Sequence, residues 1–259
     1  MQARRIAVWN PKGGVGKTSV AVNLAAVLAE NGLPVLLVDL DPQGSATQWC
    51  GGEREAEPGK ALLAALLAGG TLDAIARPSA VRGLDVVGSG PAMYDAERHL
   101  ALEPIAPDTR LRGLLETAGV RWKVVLVDCP PQMGRLVINA LAACGEVLVP
   151  IADAMSLAGL GTLVQTVAAV QHHVNPELRI GGFILSRERE RLRVARDIRK
   201  ALGDGFGELV FGPSIHECVA VMEAPSHGEP VTRYAPRSRA ADDYRALAAE
   251  VFAREVTHG

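Results

Sequence analysis

The sequence predicts one α/β domain over residues 1–259, a doubly wound, mostly parallel sheet flanked by helices. Two observations carry this prediction. Short apolar runs alternate with helical patterns along the chain, and the runs are apolar at successive positions rather than at every second one. Continuous apolar character is typical of parallel strands that helices cover on both faces. The composition agrees, because 259 residues with 48% hydrophobic side chains can bury one large core.

The predicted elements follow in the order that this fold requires. The predicted strands are residues 6–9, 35–39, 84–87, 124–128, 147–151, 180–185 and 209–211. The predicted helices are residues 19–30, 60–67, 110–118, 157–172 and 191–202. Because ligands in such folds bind at the carboxyl ends of the strands, we expect Asn10, Asp41 and Asp128 to lie at the functional edge.

A glycine-rich loop separates the first predicted strand from the first predicted helix, and residues 10–19 read NPKGGVGKTS. The amides of such a turn and the unpaired donors of the following helix favour an anion. In a phosphate-binding loop of this kind, Lys17 reaches the terminal phosphates and the Thr18 hydroxyl binds magnesium. The expected phosphate-binding residues are Lys12, Gly13, Gly14, Val15, Gly16, Lys17, Thr18 and Ser19.

The loop departs from the usual pattern at two positions, because Pro11 stands where a glycine is usual and Lys12 is an additional lysine. The chain has five lysines against 22 arginines, and two of the five lie in this loop. Chance composition explains that clustering poorly. A solvated loop charge is the alternative for Lys12.

Four motifs resemble those of the ParA/MinD ATPases and occur in the same order. Residues 12–18 resemble the deviant Walker A box, 35–44 the second motif, and 124–131 the Walker B strand and switch. Residues 223–228 and 234–239 resemble the ParA branch in particular. The resemblance spans almost the whole chain and implies a P-loop NTPase of the deviant Walker A type, in the short form without an N-terminal helix-turn-helix.

The resemblance also implies the reaction and its participants. It implies an ATPase that uses ATP and Mg²⁺, in which Lys12 reaches the partner subunit's site and a homodimer encloses two ATP molecules. Asp41 is implied to orient or activate the attacking water. The implied catalytic residues are Lys12, Lys17 and Asp41, and the implied metal-site residues are Thr18, Asp39 and Asp128.

Acidic residues end two of the predicted strands. Asp39 and Asp41 lie two residues apart, so their side chains share a face if the strand stays regular. A turn or helix-capping role is the alternative for each strand-end aspartate. Residues 129–134 follow Asp128, contain two prolines and a glycine, and are expected to form a movable switch loop.

The most basic segment is 187–200, with seven cationic and three acidic side chains in a chain of net charge −2. At helical spacing, Arg189, Arg193, Arg196 and Lys200 share one face suited to a phosphate backbone. By resemblance to ParA proteins, the predicted contacts with non-specific DNA are Arg187, Arg189, Arg193, Arg196, Arg199 and Lys200. A solvated helix with internal Glu–Arg pairs is the alternative.

Residues 215–222 contain no arginine, whereas ParA sequences often carry arginines there, so this part of the predicted DNA surface is weakened. Arg233, Arg237 and Arg239 are candidates to compensate. Because only 4% of the residues are aromatic, base stacking is not expected. Any DNA contact is predicted to be sequence-blind and salt-dependent.

The resemblance predicts a dimerising switch that holds DNA in its ATP form and releases it on hydrolysis. A ParB-like or cargo-adaptor protein is expected to stimulate hydrolysis, and the cargo is a plasmid, a chromosome origin or a protein assembly. The alternative is a MinD-like ATPase that cycles on membranes, but residues 248–259 make a poor amphipathic anchor. A metabolic or redox relative is a further alternative.

The sequence also predicts a compartment. No apolar run approaches the roughly 18 residues that a membrane span requires, and the N-terminal residues lack a signal-peptide core. We expect a cytoplasmic, nucleoid-associated protein without membrane contact. The four cysteines show no paired or metal-binding spacing and are expected to be reduced, mostly buried thiols.

Overall fold

Eight strands form one sheet within the residues that the computed structural model describes, which are 3–50, 57–118, 121–188 and 193–256. The strands are β1 (Arg4–Val8), β2 (Val35–Asp39), β3 (Arg77–Pro78), β4 (Leu84–Val87), β5 (Val124–Asp128), β6 (Glu146–Ile151), β7 (Arg179–Glu188) and β8 (Ile215–His216). Their order across the sheet is β3-β4-β2-β5-β1-β6-β7-β8. All neighbours pair in parallel except β3 and β4, so the predicted fold class is confirmed.

Helices cover both faces of this sheet. They are α1 (Lys17–Glu30), α2 (Ser45–Trp49), α3 (Lys60–Ala68), α4 (Leu72–Ile75), α5 (Met93–Leu102), α6 (Arg110–Thr117), α7 (Arg135–Ala143), α8 (Ala154–Ala158), α9 (Leu160–His173), α10 (Arg193–Phe206), α11 (Val219–Glu223), α12 (Val231–Tyr234) and α13 (Arg239–Val256). Among the described segments, no helix combines the length and the apolar character that crossing a bilayer requires.

The core has two halves, one on each face of the sheet, and β1 contributes to both. Ile6 and Val8 pack in the half that contains α1 and α13. Ala7 and Trp9 pack in the other half, together with side chains of α5, α7 and α9. Successive residues of a strand point to opposite faces, which is why the buried stretches of these strands are apolar at successive positions.

Two predicted elements differ in kind from the structure, and residues 191–192 of the predicted helix 191–202 lie outside the described residues. Residues 209–211 are not a regular strand, because Gly207–Leu209 forms a 3₁₀ turn and Val210 makes an isolated bridge to Phe183. The predicted helix 157–172 is divided into α8 and α9 at Gly159. Neither difference alters the edge of the sheet where the carboxyl ends of β1, β2 and β5 meet.

Candidate functional site

The glycine-rich loop lies at the carboxyl end of β1 and is held from two sides. Asn10 donates to the Pro150 carbonyl at 2.8 Å and accepts from the Lys12 amide at 2.9 Å. The Ser186 hydroxyl donates to the Val15 carbonyl at 2.6 Å. Gly14 and Gly16 have φ of 75° and 88°, a conformation that side-chain-bearing residues rarely adopt. Long-range hydrogen bonds and two glycines therefore fix the shape of the loop.

The start of α1 is available to a ligand. Gly16 occupies the N-cap position, and no side chain of the described residues caps this helix. The first amides of a helix have no intrahelical acceptor and carry the positive end of the helix dipole. The loop and this helix start thus have the geometry suited to the anion site that the glycine pattern predicts.

A cavity of about 690 Å³ opens beside the loop. Its lining includes Lys17, Thr18, Asp41 and Pro131. It also includes a group of apolar side chains, which are Ile215, Cys218, Val221, Met222 and Pro225. Most of these residues belong to the segment 215–222, which the sequence linked only to a weakened DNA surface. In the sequence, the only indication that this segment forms a cavity wall was its composition, which lacks arginine and is rich in apolar residues.

Lys17 lies inside this site. Its ammonium group donates to the Lys12 carbonyl at 2.9 Å, and the residue is buried. Burial lowers the pKa of Lys17, and the nearby carboxylate of Asp128 opposes that shift. A buried cation among loop amides is suited to binding phosphate oxygens.

Lys12 lies at the mouth of the site. Its ammonium group contacts both carboxylate oxygens of Asp153, at 2.7 and 2.6 Å, and the Lys12 side chain is 30% exposed. The hydrogen bond from Lys12 is the main reason that the pKa of Asp153 is lowered. Asp153 also caps α8 through the Ser156 amide, which fixes its carboxylate. In the single chain, Lys12 is therefore paired within its own subunit, and its reach into a partner stays a prediction. Sequence reasoning missed Asp153.

Asp128 ends β5 beside the loop. It is fully buried, and neither of its carboxylate oxygens has a hydrogen-bond partner within 3–50, 57–118, 121–188 and 193–256. Burial first, and then the neighbouring Asp39 carboxylate, raise the pKa of Asp128 well above its usual range, while the nearby Thr18 hydroxyl opposes the shift. Two unpartnered carboxylate oxygens next to a hydroxyl are a donor set that fits Mg²⁺ or its bound waters.

Asp39 pairs in register with Asp128 on the adjacent strand, but its oxygens are already used. One oxygen accepts from the Asp41 amide at 3.0 Å, and the other accepts from the Thr47 amide and hydroxyl at 2.9 and 2.7 Å. Burial raises the pKa of Asp39 to about 6. Asp39 therefore has a turn-forming role in the single chain, and its metal role stays a prediction.

The regular spacing on which Asp39 and Asp41 were expected to share a face is absent, because β2 ends at Asp39. The chain turns there, and Asp41 lines the cavity. One Asp41 carboxylate oxygen accepts from the Gln43 amide at 2.9 Å, and its carbonyl accepts from the Ser89 hydroxyl at 2.7 Å. This turn orients Asp41 toward the same space as Lys17.

The predicted switch loop, residues 129–134, joins β5 to α7. Cys129 and Pro130 are buried, Pro131 lines the cavity, and Gln132 and Met133 are exposed. Gly134 is the N-cap residue of α7. The loop thus lies beside the cavity, and its movement stays a prediction.

The predicted DNA-binding residues that the structure describes differ in their contacts. Arg187 donates to the Gly14 carbonyl of the phosphate loop at 3.0 Å and to Glu217 at 3.3 Å. Arg199 contacts the Ser214 hydroxyl and lies 3.7 Å from Glu188, and Lys200 pairs with Asp204. Arg196 is exposed on α10. Arg189 lies outside the described residues, as does the side chain of Arg193.

The three compensating candidates also have distinct positions. Arg233 donates to the Ala80 carbonyl, and Arg239 contacts His216 at 2.8 Å. Arg237 is exposed between α12 and α13. These arginines remain candidates for DNA contact.

Comparisons with known proteins agree with this geometry. A family model described as an AAA domain matches residues 3–180. The chain is 41% identical over 254 residues to the chromosome-partitioning ATPase Soj of Thermus thermophilus, covering 98% of this chain and 97% of the relative. It is 39% identical over 249 residues to the sporulation initiation inhibitor protein Soj of Bacillus subtilis, covering 96% and 98%.

Similarity to a solved structure extends over the whole fold. The crystal structure of cobyrinic acid a,c-diamide synthase from Mycobacterium smegmatis, with bound ADP and magnesium, superposes with a TM-score of 0.84 at 29% identity. The match covers 100% of this chain and 97% of that one. The fold and its phosphate loop are therefore those of a nucleotide-binding protein family.

Proposed function

This chain belongs to the Soj/ParA family of ATPases, and we propose that it is an ATP-dependent dimerising switch that positions a cargo on DNA. The observation that carries the proposal is that buried Lys17 and buried Asp128, whose oxygens have no hydrogen-bond partner among the described residues, lie beside a helix start that no described side chain caps. Leaving charged groups buried without partners is costly, so such an arrangement is typical of a ligand site.

ATP and Mg²⁺ are the proposed ligands. The loop amides and Lys17 bind the phosphates, and Thr18 with Asp128 holds Mg²⁺ directly or through water. When bound, Mg²⁺ neutralises phosphate charge during phosphoryl transfer. Asp41 orients or activates the attacking water, and its place on the cavity wall supports that role. Hydrolysis in this scheme is slow until a partner protein completes the arrangement.

A homodimer with two enclosed ATP molecules is the proposed active form. Two features of the cavity mouth support it. Lys12 is held there by a half-exposed carboxylate, so exchanging Asp153 for a partner's phosphate requires no unfolding. Large exposed apolar side chains also occur close in the chain to residues of the site, namely Met133 in the switch loop, Met155 two residues after Asp153, and Val219 and Met222 in the segment 215–222. Exposed apolar side chains around a polar site are typical of a subunit interface.

Non-specific DNA is the proposed partner of the ATP form. The exposed arginine Arg196 of α10 supports it, together with Arg189 and Arg193 of the same basic segment. Such contacts with phosphates carry no sequence information and weaken steeply with salt. A ParB-like or cargo-adaptor protein would stimulate hydrolysis, and the protein would associate with the nucleoid.

The membrane-cycling alternative has less support. It needs an apolar helical face that is free to insert into lipid. Most of the large apolar side chains of α13, namely Tyr244, Leu247 and Val251, are buried with Ala248 against the half of the core that contains α1, whereas Phe252 is exposed. This helix uses its apolar face to stabilise the fold.

Sedimentation with random-sequence DNA, and separately with anionic liposomes, tests the proposal in the presence of ATP or ADP. The expected result is that the protein co-sediments with DNA in the presence of ATP but not of ADP. The Lys12→Ala variant should not co-sediment with DNA under either condition. Sedimentation with liposomes would favour the membrane alternative. Sedimentation with neither would contradict a positioning function and favour a metabolic function, as in the synthase named for the Mycobacterium smegmatis structure.

A further inference from the structure

One face of α5 contacts the loops on both sides of the cavity. Tyr94 accepts a hydrogen bond from the Gln43 side chain, two residues after Asp41. Three residues further along α5, Glu97 accepts from the backbone amides of Arg135 and Leu136. Positions three apart lie on the same side of a helix. The same face of α5 therefore holds the loop after β2 and the end of the loop after β5.

Glu97 caps the start of α7 from a different helix. The Leu136 amide lies 3.0 Å from Glu97 Oε2, and the Arg135 amide donates to Oε1. The first amides of a helix need an external acceptor, and Gly134 at the N-cap position has no side chain to provide one. A carboxylate at this end also interacts favourably with the helix dipole.

Gly134 is required for this cap. A Cβ atom at position 134 would lie 2.8 Å from the carboxyl carbon of Glu97, a distance that real Cβ atoms essentially never show. The crowding arises from close approach, since Gly134 has an extended backbone with φ of −158°. The absence of a side chain at this position lets the Glu97 carboxylate reach both amides.

Two further side chains tie α7 to α6 and to the residues just before α6. Arg135 pairs with Asp108 at 2.7 Å. Asn139 accepts from the Leu111 amide at 3.1 Å and donates to the Pro107 carbonyl at 2.7 Å. Helices α6 and α7 thus each receive a cap from another element, and the start of α7 is held firmly against its neighbours.

We propose that Glu97 is a positioning residue for the switch loop 129–134. The loop is held at its beginning by the Cys129 amide, which donates to the Val8 carbonyl at 3.3 Å. Glu97 holds its other end, and the residues between include Pro131, which lines the cavity. With both ends fixed, the tip keeps its place beside the nucleotide phosphates. The effect on turnover rests on the proposed ATPase function, whereas the effect on the loop does not.

Hydrogen exchange of Glu97→Gln without nucleotide tests the cap directly. An amide side chain offers one acceptor oxygen in place of two, so exchange at the Arg135 and Leu136 amides should accelerate about tenfold or more. The β5 amides, Val125 to Val127, serve as an internal reference and should exchange at their original rates. Glu103→Gln is the matched control, because Glu103 follows α5 and pairs with Arg110 of α6 at 3.4 Å.

Turnover gives a second readout. Glu97→Gln should lower kcat about tenfold and change KM for ATP less than about twofold, because the phosphate loop is untouched. Glu103→Gln should match the parent chain. Equal kcat in the two variants, or accelerated exchange throughout β5, would overturn the proposal. A parent chain without ATP turnover would contradict the proposed function, and the exchange measurement would still decide the role of Glu97.

A double-mutant cycle sharpens the test. Gly134→Ala in the parent chain should accelerate exchange at Arg135 and Leu136, because the new methyl group displaces the Glu97 carboxylate. In a Glu97→Ala background that carboxylate is absent, so the same substitution should add little. Strongly coupled effects support the proposal, and fully additive effects overturn it.

Discussion

The site around the phosphate loop and the basic segment 187–200 differ in whether their charged side chains have protein partners. At the loop, both Asp128 oxygens lack a hydrogen-bond partner among the described residues, although the residue is fully buried. In the basic segment, Arg187, Arg199 and Lys200 each contact a protein acceptor. Of the cationic side chains that the structure describes there, Arg196 alone makes no hydrogen bond or ion pair with another described residue.

The difference shows that the number of charged residues in a segment does not give the charge that is available to a ligand. Burying an unpaired charge is costly, so the loop retains unpaired groups where a ligand can compensate them. Exposed cations gain little from a surface pair and exchange partners easily. Three of the seven cations already contact protein groups, so the count of seven overestimates the unpaired charge of this segment, whereas a single buried aspartate marks the nucleotide site.

Among the substitutions that test this comparison, removal of the buried Lys17 side chain is expected to have the largest effect. Lys17→Ala should weaken nucleotide binding by about 100-fold or more, because a buried charge-assisted contact with phosphate is lost. Titration with a fluorescent ATP analogue measures it. Lys60→Ala, which removes a surface lysine paired with Glu57, is the control and should bind normally. Retained micromolar affinity in Lys17→Ala would contradict the loop assignment.

Asp41→Asn should reduce turnover by roughly 100-fold through loss of the base or water-orienting group. The asparagine keeps an oxygen acceptor for the Gln43 amide, so the turn and nucleotide binding should persist. Light scattering with ATP should show a persistent dimer, and steady-state phosphate release measures turnover. Unchanged hydrolysis would remove Asp41 from its proposed role.

Asp128→Asn should stabilise the ligand-free chain while lowering magnesium-dependent turnover. A buried carboxylate with a raised pKa binds its proton more tightly when folded, so stability falls as pH rises above the ordinary aspartate pKa. Removing the charge should therefore raise the free energy of unfolding at pH 7 by about 1–3 kcal/mol. Urea denaturation at pH 7 and pH 5 measures the gain, which should shrink at the lower pH. A destabilised variant at pH 7 would show that Asp128 has a structural partner.

The smallest effects are expected in the basic segment, and they test the comparison most finely. Arg196→Ala should reduce the slope of log affinity against log salt for random DNA by about one. Arg199→Ala should change the slope less, since Arg199 already contacts Ser214 and lies close to Glu188. Fluorescence anisotropy over a salt series in ATP distinguishes the two. Equal changes in slope for the two variants would show that the protein contacts of Arg199 do not reduce its contribution to DNA binding.

Much of the fold could be predicted because its signals are local. The apolar runs of β1, β2 and β5 reflect burial on both faces, and that requirement leaves a mark at each successive position. The phosphate loop could also be predicted from the sequence, because the positive φ angles at Gly14 and Gly16 favour glycine at these positions. Residues 209–211 show the limit, since a short apolar run is compatible with a strand or an irregular segment.

Parts of the candidate site whose residues lie close together in the sequence could be predicted. Parts that depend on contacts between residues far apart in the sequence could not. Lys17 and Thr18 belong to one short motif. Asp153, in contrast, lies 141 positions from the lysine that it holds, and Arg187 lies 173 positions from Gly14. No sequence spacing encodes such pairs, because the topology of the sheet brings them together.

The sequence by itself determined the parallel sheet, the anion-binding loop and the family, because hydrophobic pattern and backbone requirements act over a few neighbouring residues. The tertiary structure decided which charges stay unpaired. It paired Lys12 with Asp153, placed residues 215–222 on the cavity, and brought Glu97 to the start of α7. The physical reason is that electrostatic and hydrogen-bond energies depend on distance in space, which strand order fixes and spacing along the chain does not.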